Sequence, residues 1–125
     1  MGKHISLGQK GEKIALEYIK TRGFKPIDTN FRTKFGEIDI IGTSKDQGLV
    51  FFEVKTMSSG AVGYTGVRPE DQMSADKLGK FKKIAEFYAN KYPELIGKKG
   101  YRLDLITVLF PDLGEPIITW YENIF

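Results

Sequence analysis

The sequence predicts a single α/β domain in the order helix, three strands, helix, two strands, and three observations carry that expectation. The chain has 125 residues, which is room for one compact domain and little beyond it. Two long segments repeat apolar residues at helical spacing, while the stretches around them read as short strands punctuated by Gly and Pro. Apolar residues make up 41% of the chain and charged residues 28%. That balance closes a modest core around one sheet and excludes a disordered or membrane-embedded class.

From Ser6 to about Arg22, the residues Leu7, Ile14, Ala15, Tyr18 and Ile19 fall on one stripe, and Gly23 supplies the stop. Phe24 to Arg32 reads as an irregular strand interrupted early by Pro26. Gly36 opens a short strand, Glu37-Ile38-Asp39-Ile40-Ile41, which is expected to close at Gly42. Asp46-Gln47-Gly48 is a turn, and Leu49 to Lys55 carries the strongest strand signal in the chain. The short connection predicts an antiparallel hairpin. Residues 56–72 have three glycines, one proline and no periodicity, so a mobile loop is expected there. Met73 to about Tyr92 returns to helical spacing, with Leu78, Phe81, Ile84, Ala85 and Tyr88 on the buried face. Pro93 to Gly100 is a turn, and Tyr101–Phe110 and Ile117–Tyr121 are the last two strands.

Composition also restricts the chemistry. There is no cysteine and one histidine, His4. A thiol nucleophile, a disulfide framework, a Cys/His zinc site and an Fe–S cluster are all excluded. A histidine base could only be His4, which lies at a terminus and receives no catalytic role. An enzyme with this alphabet would rest on Asp, Glu and Lys, with or without a metal ion. The net charge of +3 is unevenly placed: residues 1–35 hold eight Lys/Arg against three acids, and residues 77–102 eight against two. Two basic flanks around a more neutral centre could form a patch for a phosphate backbone, or could be ordinary solvated helix faces. The start MGKHIS lacks an apolar signal region, and no apolar run approaches the roughly 20 residues that cross a bilayer. A cytoplasmic protein without a membrane partner is therefore expected.

Side chains alternate along a strand, so Glu53 and Lys55 point the same way, about 7 Å apart at their Cα atoms. They share that face with Leu49 and Phe51, which a helix should cover. Glu37 and Asp39 share a face on the preceding strand in the same manner. If the hairpin brings these faces together, two or three carboxylates and an ammonium converge at the strand ends. Such a cluster suits phosphodiester hydrolysis: carboxylate oxygens hold Mg²⁺, and a lysine orients water or offsets developing charge. The alternative is a half-buried Glu–Lys pair that fixes the sheet's register.

Asn30-Phe31-Arg32, Gly36-Glu37-Ile38-Asp39-Ile40-Ile41 and Phe52-Glu53-Val54-Lys55 resemble the signature of the YraN-like family. The similarity extends upstream to Gly8-Gln9-Lys10-Gly11-Glu12 and downstream to Lys77 and Tyr101-Arg102-Leu103-Asp104. That bacterial family is assigned to the restriction-endonuclease-like superfamily with the PD-(D/E)xK nuclease motif. The resemblance implies an endonuclease-like core, a mixed sheet of about five strands flanked by two main helices. It also implies catalytic roles for Asp39 and Glu53 as metal-binding acids, Lys55 as the motif lysine, and Glu12 as the acid from the first helix. Glu37 and Lys77 would support them. Ile38 stands where the motif's proline would be, a departure common to the family.

Arg32 and Lys34, just before the acidic strand, are the best nucleic-acid-binding candidates outside that cluster. Lys80, Lys82 and Lys83 suit a solvated helix face at least as well as phosphate contact. Trp120 is expected in the core rather than stacked on bases, and Asp104 could support the site or pair with Arg102 nearby. Two functions follow. The first is a nuclease dependent on Mg²⁺ or Mn²⁺ acting on DNA, with branched or structured DNA suggested by fold analogy and a homodimer required for junction resolution. The second is a non-catalytic nucleic-acid-binding module on a nuclease-like fold.

Overall fold

The computed structural model describes residues 5–58 and 74–124. Helix α1 spans Leu7–Thr21, strands β1, β2 and β3 span Lys25–Thr33, Gly36–Ser44 and Gly48–Ser58, and helix α2 spans Ala75–Lys91. A single 3₁₀ turn at Pro93–Leu95 leads into β4, Tyr101–Phe110, and β5, Ile117–Tyr121. The five strands form one sheet in the order β1-β2-β3-β4-β5. Pairing is antiparallel between β1 and β2, β2 and β3, and β4 and β5, and parallel between β3 and β4. A parallel pair needs a crossover, and α2 supplies it. This is the mixed five-stranded α/β architecture, in the order αβββαββ, that the resemblance implied.

Alternation along β3 builds a core on each side of the sheet. Leu49 and Phe51 join Ile38, Ile41 and Leu103 beneath Phe81, Ile84, Ala85 and Tyr88 of α2. Val50, Phe52 and Val54 join Ile40, Ile106 and Val108 beneath Ala15 and Ile19 of α1. Trp120 lies in this second layer, its ring 5.5 Å from Phe24 and 5.6 Å from Phe52. Its role is packing.

Two boundaries differ from expectation, and the expected interruption of β1 takes a definite form. Strand β2 runs through Gly42 to Ser44. Gly42 pairs with Pro26 on one side and Val50 on the other, and a Cβ there would sit 3.5 Å from the Phe52 ring and from the Lys25 carbonyl. The glycine makes room for packing rather than ending the strand. Strand β3 continues through Thr56, Met57 and Ser58, which pair with Val108, Leu109 and Phe110. The loop expected from residue 56 therefore does not start there, and its remaining positions, 59–72, lie outside the described residues, as does His4. Pro26 interrupts β1 as a bulge between Pro26 and Asp28, on an edge strand where a missing N–H is tolerated.

No helix is long and apolar enough to cross a membrane, among the described residues.

Candidate functional site

Helix α1 brings the first acid. Its start is fixed by a capping box: Gln9 N donates to Ser6 Oγ at 3.2 Å, and Ser6 N donates to Gln9 Oε1 at 3.0 Å. One turn on, Gly11 is buried against β3. A methyl group at Gly11 would fall 3.0 Å from Thr56 Cβ and Cγ2 and closer still to its hydroxyl. Only glycine lets the helix lie this close to the strand. Glu12, the next residue, is thereby set over the end of β2.

Strand β2 brings two more. Its ladder with β3 runs from Ser44 opposite Gly48 to Ile40 opposite Phe52. Beyond Ile40 the alternation slips: Ile38 packs in the α2 layer with Ile41, although Ile40 packs in the α1 layer. At this slip Asp39 Oδ2 accepts the Val54 N–H at 2.8 Å, a carboxylate taking the bond a strand carbonyl would otherwise accept. Carboxylate oxygens of Glu12, Glu37 and Asp39 lie within 4.8 Å of one another.

Such crowding shows in their protonation. Burial, the charge of Asp39 and a hydrogen bond with Asp39 push Glu12 up from 4.5 to about 7. Burial also raises Asp39, while the Val54 N–H and the bond from Glu12 hold it back. Glu12 is thus the proton-bearing partner and Asp39 the acceptor. Glu37 is engaged by Arg32, whose Nε lies 2.8 Å from Glu37 Oε2.

Glu53 points to the α2 side, as its alternation with Leu49 and Phe51 requires, and meets Lys77 Nζ at 3.2 Å. Its side chain is only 13% exposed. Burial and the charge of Asp39 raise it to about 7, against the opposing pull of Lys77 and Lys55. The structure therefore brings Glu12, Glu37 and Asp39 into one group and sets Glu53 with Lys77 beside it, outside that group. Lys55 is exposed near the end of β3. Lys34 lies over the Phe35 ring, 5.2 Å from its centroid.

A family model described as Uncharacterised protein family UPF0102 matches residues 11–108. The chain belongs to that family. It is similar over nearly its whole length to other UPF0102 proteins. One, from Thermodesulfovibrio yellowstonii, is 41% identical over 97% of this chain and 96% of its own. Another, from Syntrophomonas wolfei, is 34% identical over 95% of this chain and 96% of its own. Among solved structures, the chain is similar to a repair endonuclease from Pyrococcus abyssi, with 18% identity and a TM-score of 0.45 over 90% of this chain and 42% of that one. It is also similar to a chain of the EndoMS–dsDNA2 complex, with 15% identity and a TM-score of 0.46 over 91% of this chain and 41% of that one. The UPF0102 chain thus spans less than half the length of these two.

Two features of the UPF0102 chain complete the site's surroundings. A cleft of about 570 Å³ opens beside the acids, with Glu12 and Asp39 among its lining and Gln9, Lys13, Asn30 and Arg32 around them. Of these, Gln9, Lys13 and Asn30 carried no role in the sequence-based reading. The signal for two of them was present, since Gln9, Glu12, Lys13 and Leu16 recur at helical spacing on one side of α1. Asp104, by contrast, serves elsewhere. It is wholly buried and accepts from Arg102 Nε and Nη2, Trp120 Nε1 and Asn123 N at 2.7–2.9 Å. The bonds from Trp120 and Asn123 tie β4 to β5 and the C-terminal segment, and those from Arg102 lie within β4.

Proposed function

We propose that this protein hydrolyses nucleic-acid phosphodiester bonds with a divalent cation, Mg²⁺ or Mn²⁺, held at the acid cluster. The observation that carries this reading is the group of three carboxylates from α1 and β2 within 4.8 Å, two of them with raised proton affinity. Hard oxygen donors packed this closely repel one another when ionised, and a small divalent cation satisfies them. The donor set fits Mg²⁺ or Mn²⁺ and contains none of the nitrogen or sulfur ligands that favour zinc. Asp39, Glu12 and Glu37 would hold the ion, with Glu53 completing the acid set. When bound, the ion would stabilise charge developing on the phosphate and ease ionisation of the attacking water.

The chain's own residues divide the remaining work. The Val54 N–H fixes the Asp39 carboxylate, so one ligand is oriented before any ion arrives. Lys77 holds the Glu53 carboxylate in place and opposes the rise in its proton affinity. Lys55, exposed two residues beyond Glu53, would orient the water whose oxygen forms the new bond to phosphorus as the old P–O bond breaks. Arg32 and Lys34 supply cations at the rim for flanking phosphates.

Cleavage of a panel of linear, flapped and four-way DNA in Mg²⁺ or Mn²⁺ tests this reading. Asp39→Ala and Glu53→Ala are each expected to lower the rate by about 10³-fold or more, the scale of losing a charge-stabilising group. Activity that survives both substitutions would sink the assignment. Binding of DNA with a steep salt dependence and no cleavage in either metal would instead support the non-catalytic binding module.

A further inference from the structure

Two depressions reach the acid cluster from opposite faces of the sheet. On the α2 side, a pocket of about 120 Å³ is lined by Glu37, Glu53, Lys77, Lys80 and Phe81. On the α1 side lies the cleft of about 570 Å³ between α1 and the β1–β2 hairpin. Sites that admit even a small organic ligand run from about 300 Å³ upward. The first depression is too small for a nucleotide and the second is not.

The larger cleft has the chemistry of a phosphate track. Lys13 stands on its helix wall and Arg32 on its strand wall, with the acids Glu12 and Asp39 between them. Only the Nε of Arg32 is taken by Glu37, and among the described residues nothing engages its two terminal nitrogens, while the side chain is 81% exposed. Those nitrogens form the fork that matches two phosphate oxygens. Asn30 adds an amide. It adopts a left-handed backbone at φ 52° between Thr29, paired with Ile40, and Phe31, paired with Ile38. That position lies across the ladder from Asp39. A residue other than glycine in this conformation within a strand is uncommon, and here it borders the acids.

We infer that the α1–β1 cleft is the track for one nucleic-acid strand, with Lys13 and Arg32 holding backbone phosphates on either side of the acid cluster. The occupant is a single strand rather than a duplex. One backbone can enter between the α1 wall and the hairpin wall of this cleft, whereas a B-form duplex, with a major groove alone about 12 Å wide, would rest on its rim away from Glu12 and Asp39. The inference rests on the nuclease reading for the chemistry but makes a separate claim about binding. Its consequence is a preference for single-stranded segments, such as frayed ends and flaps.

Fluorescence anisotropy of the full chain, with Ca²⁺ in place of Mg²⁺, tests it using a labelled single strand of about 12 nucleotides and the matching blunt duplex. The strand is expected to bind about tenfold more tightly than the duplex. Lys13→Glu is expected to weaken strand binding about tenfold and lower its salt slope by about one, because one phosphate contact is lost. Lys80→Glu, on the α2 side, should change it less than about twofold. Mn²⁺ calorimetry on Lys13→Gln should still show an ion bound, so that a loss of strand binding is read apart from loss of the metal. Lys13→Gln also replaces the reversal in the strand assay if Lys13→Glu unfolds the chain. Equal losses from Lys13→Glu and Lys80→Glu, or tighter binding of the duplex, would overturn the inference. Cleavage dependent on Asp39 but indifferent to Lys13 overturns the strand track and leaves the nuclease reading intact. Strand binding that needs Lys13 in a chain that cleaves nothing supports the track and removes the hydrolysis.

Discussion

Strand β3 has an aspartate on each neighbouring strand, and the two are treated in opposite ways. Asp104 on β4 is wholly buried and receives four hydrogen bonds, two of them from the Arg102 guanidinium. Arg102 is in turn held firmly protonated, chiefly by that hydrogen-bonded pair. Asp39 on β2 receives one backbone N–H and a bond from Glu12, and is crowded by other acids that the Lys77 charge offsets only in part. A carboxylate saturated by donors is a structural tie. One crowded by carboxylates, with only part of its charge balanced, is suited to receive a cation. The same residue type, one strand apart on either side of β3, is a structural tie in one place and, on the proposed reading, a cation ligand in the other.

That contrast can be broken by substitution. Asp104→Ala strands Arg102 and the Trp120 N–H in a half-buried setting, and a loss of roughly 3–5 kcal/mol of stability is expected in a denaturant melt. Asp39→Asn should cost less than about 1 kcal/mol, since the amide oxygen still accepts the Val54 N–H and the repulsion with Glu12 is relieved. Its effect should appear in Mn²⁺ calorimetry as lost binding. Equal destabilisation by the two substitutions would erase the distinction.

Acidity offers a second route. Glu12 and Glu53 have folded-state values of about 7 against an ordinary 4.5, so the folded chain keeps protons that the unfolded chain releases. The stability this confers is fully present below about pH 4.5 and is lost as pH rises through 7. For Glu53 alone the difference between pH 5 and pH 8 is roughly 3 kcal/mol, at about 1.4 kcal/mol per pKa unit. Thermal melts across that range should therefore show a falling midpoint, and saturating Mn²⁺ should flatten the decline. A midpoint that climbs with pH would contradict it.

A smaller effect is expected at Gly11→Ala. The added methyl meets Thr56 and must lift α1 from β3, at a cost of about 1–3 kcal/mol. Because Glu12 follows directly, Mn²⁺ affinity should fall with it, whereas Gly8→Ala, whose nearest neighbour would be Ser6 Oγ at 4.0 Å, should leave both unchanged. The two alanine variants compared by melting and calorimetry check this.

What could be read from the residues was whatever local periodicity encodes. The alternation of Leu49 to Lys55 sent Glu53 to the α2 side, and the turn at residues 46–48 placed β2 beside β3. The grouping of Asp39 with Glu12 and Glu37, apart from the Glu53–Lys77 pair, depends on the slip between Ile38 and Ile41, and no alternating pattern reports a slip. Asp104 was ambiguous for a different reason. Its partners Trp120 and Asn123 lie 16 and 19 residues away, and only the folded sheet brings them together. Arg32 was expected to face substrate, and its bond to Glu37 adds a second attachment that charge counting could not reveal.

The close seat of α1 on β3 has a dynamic consequence. Asp39 and Glu53 come from one hairpin and stay near each other as long as that hairpin persists, whereas Glu12 joins them only while α1 is docked. Undocking α1 is therefore the cheapest way for the charged cluster to relieve its repulsion. Amide exchange in Leu7–Thr21 should accelerate above neutral pH beyond the ordinary base-catalysed rise, ahead of the central strands. A bound cation should slow it again, so that the helix acts as a latch on the hairpin, fastened by what the site holds.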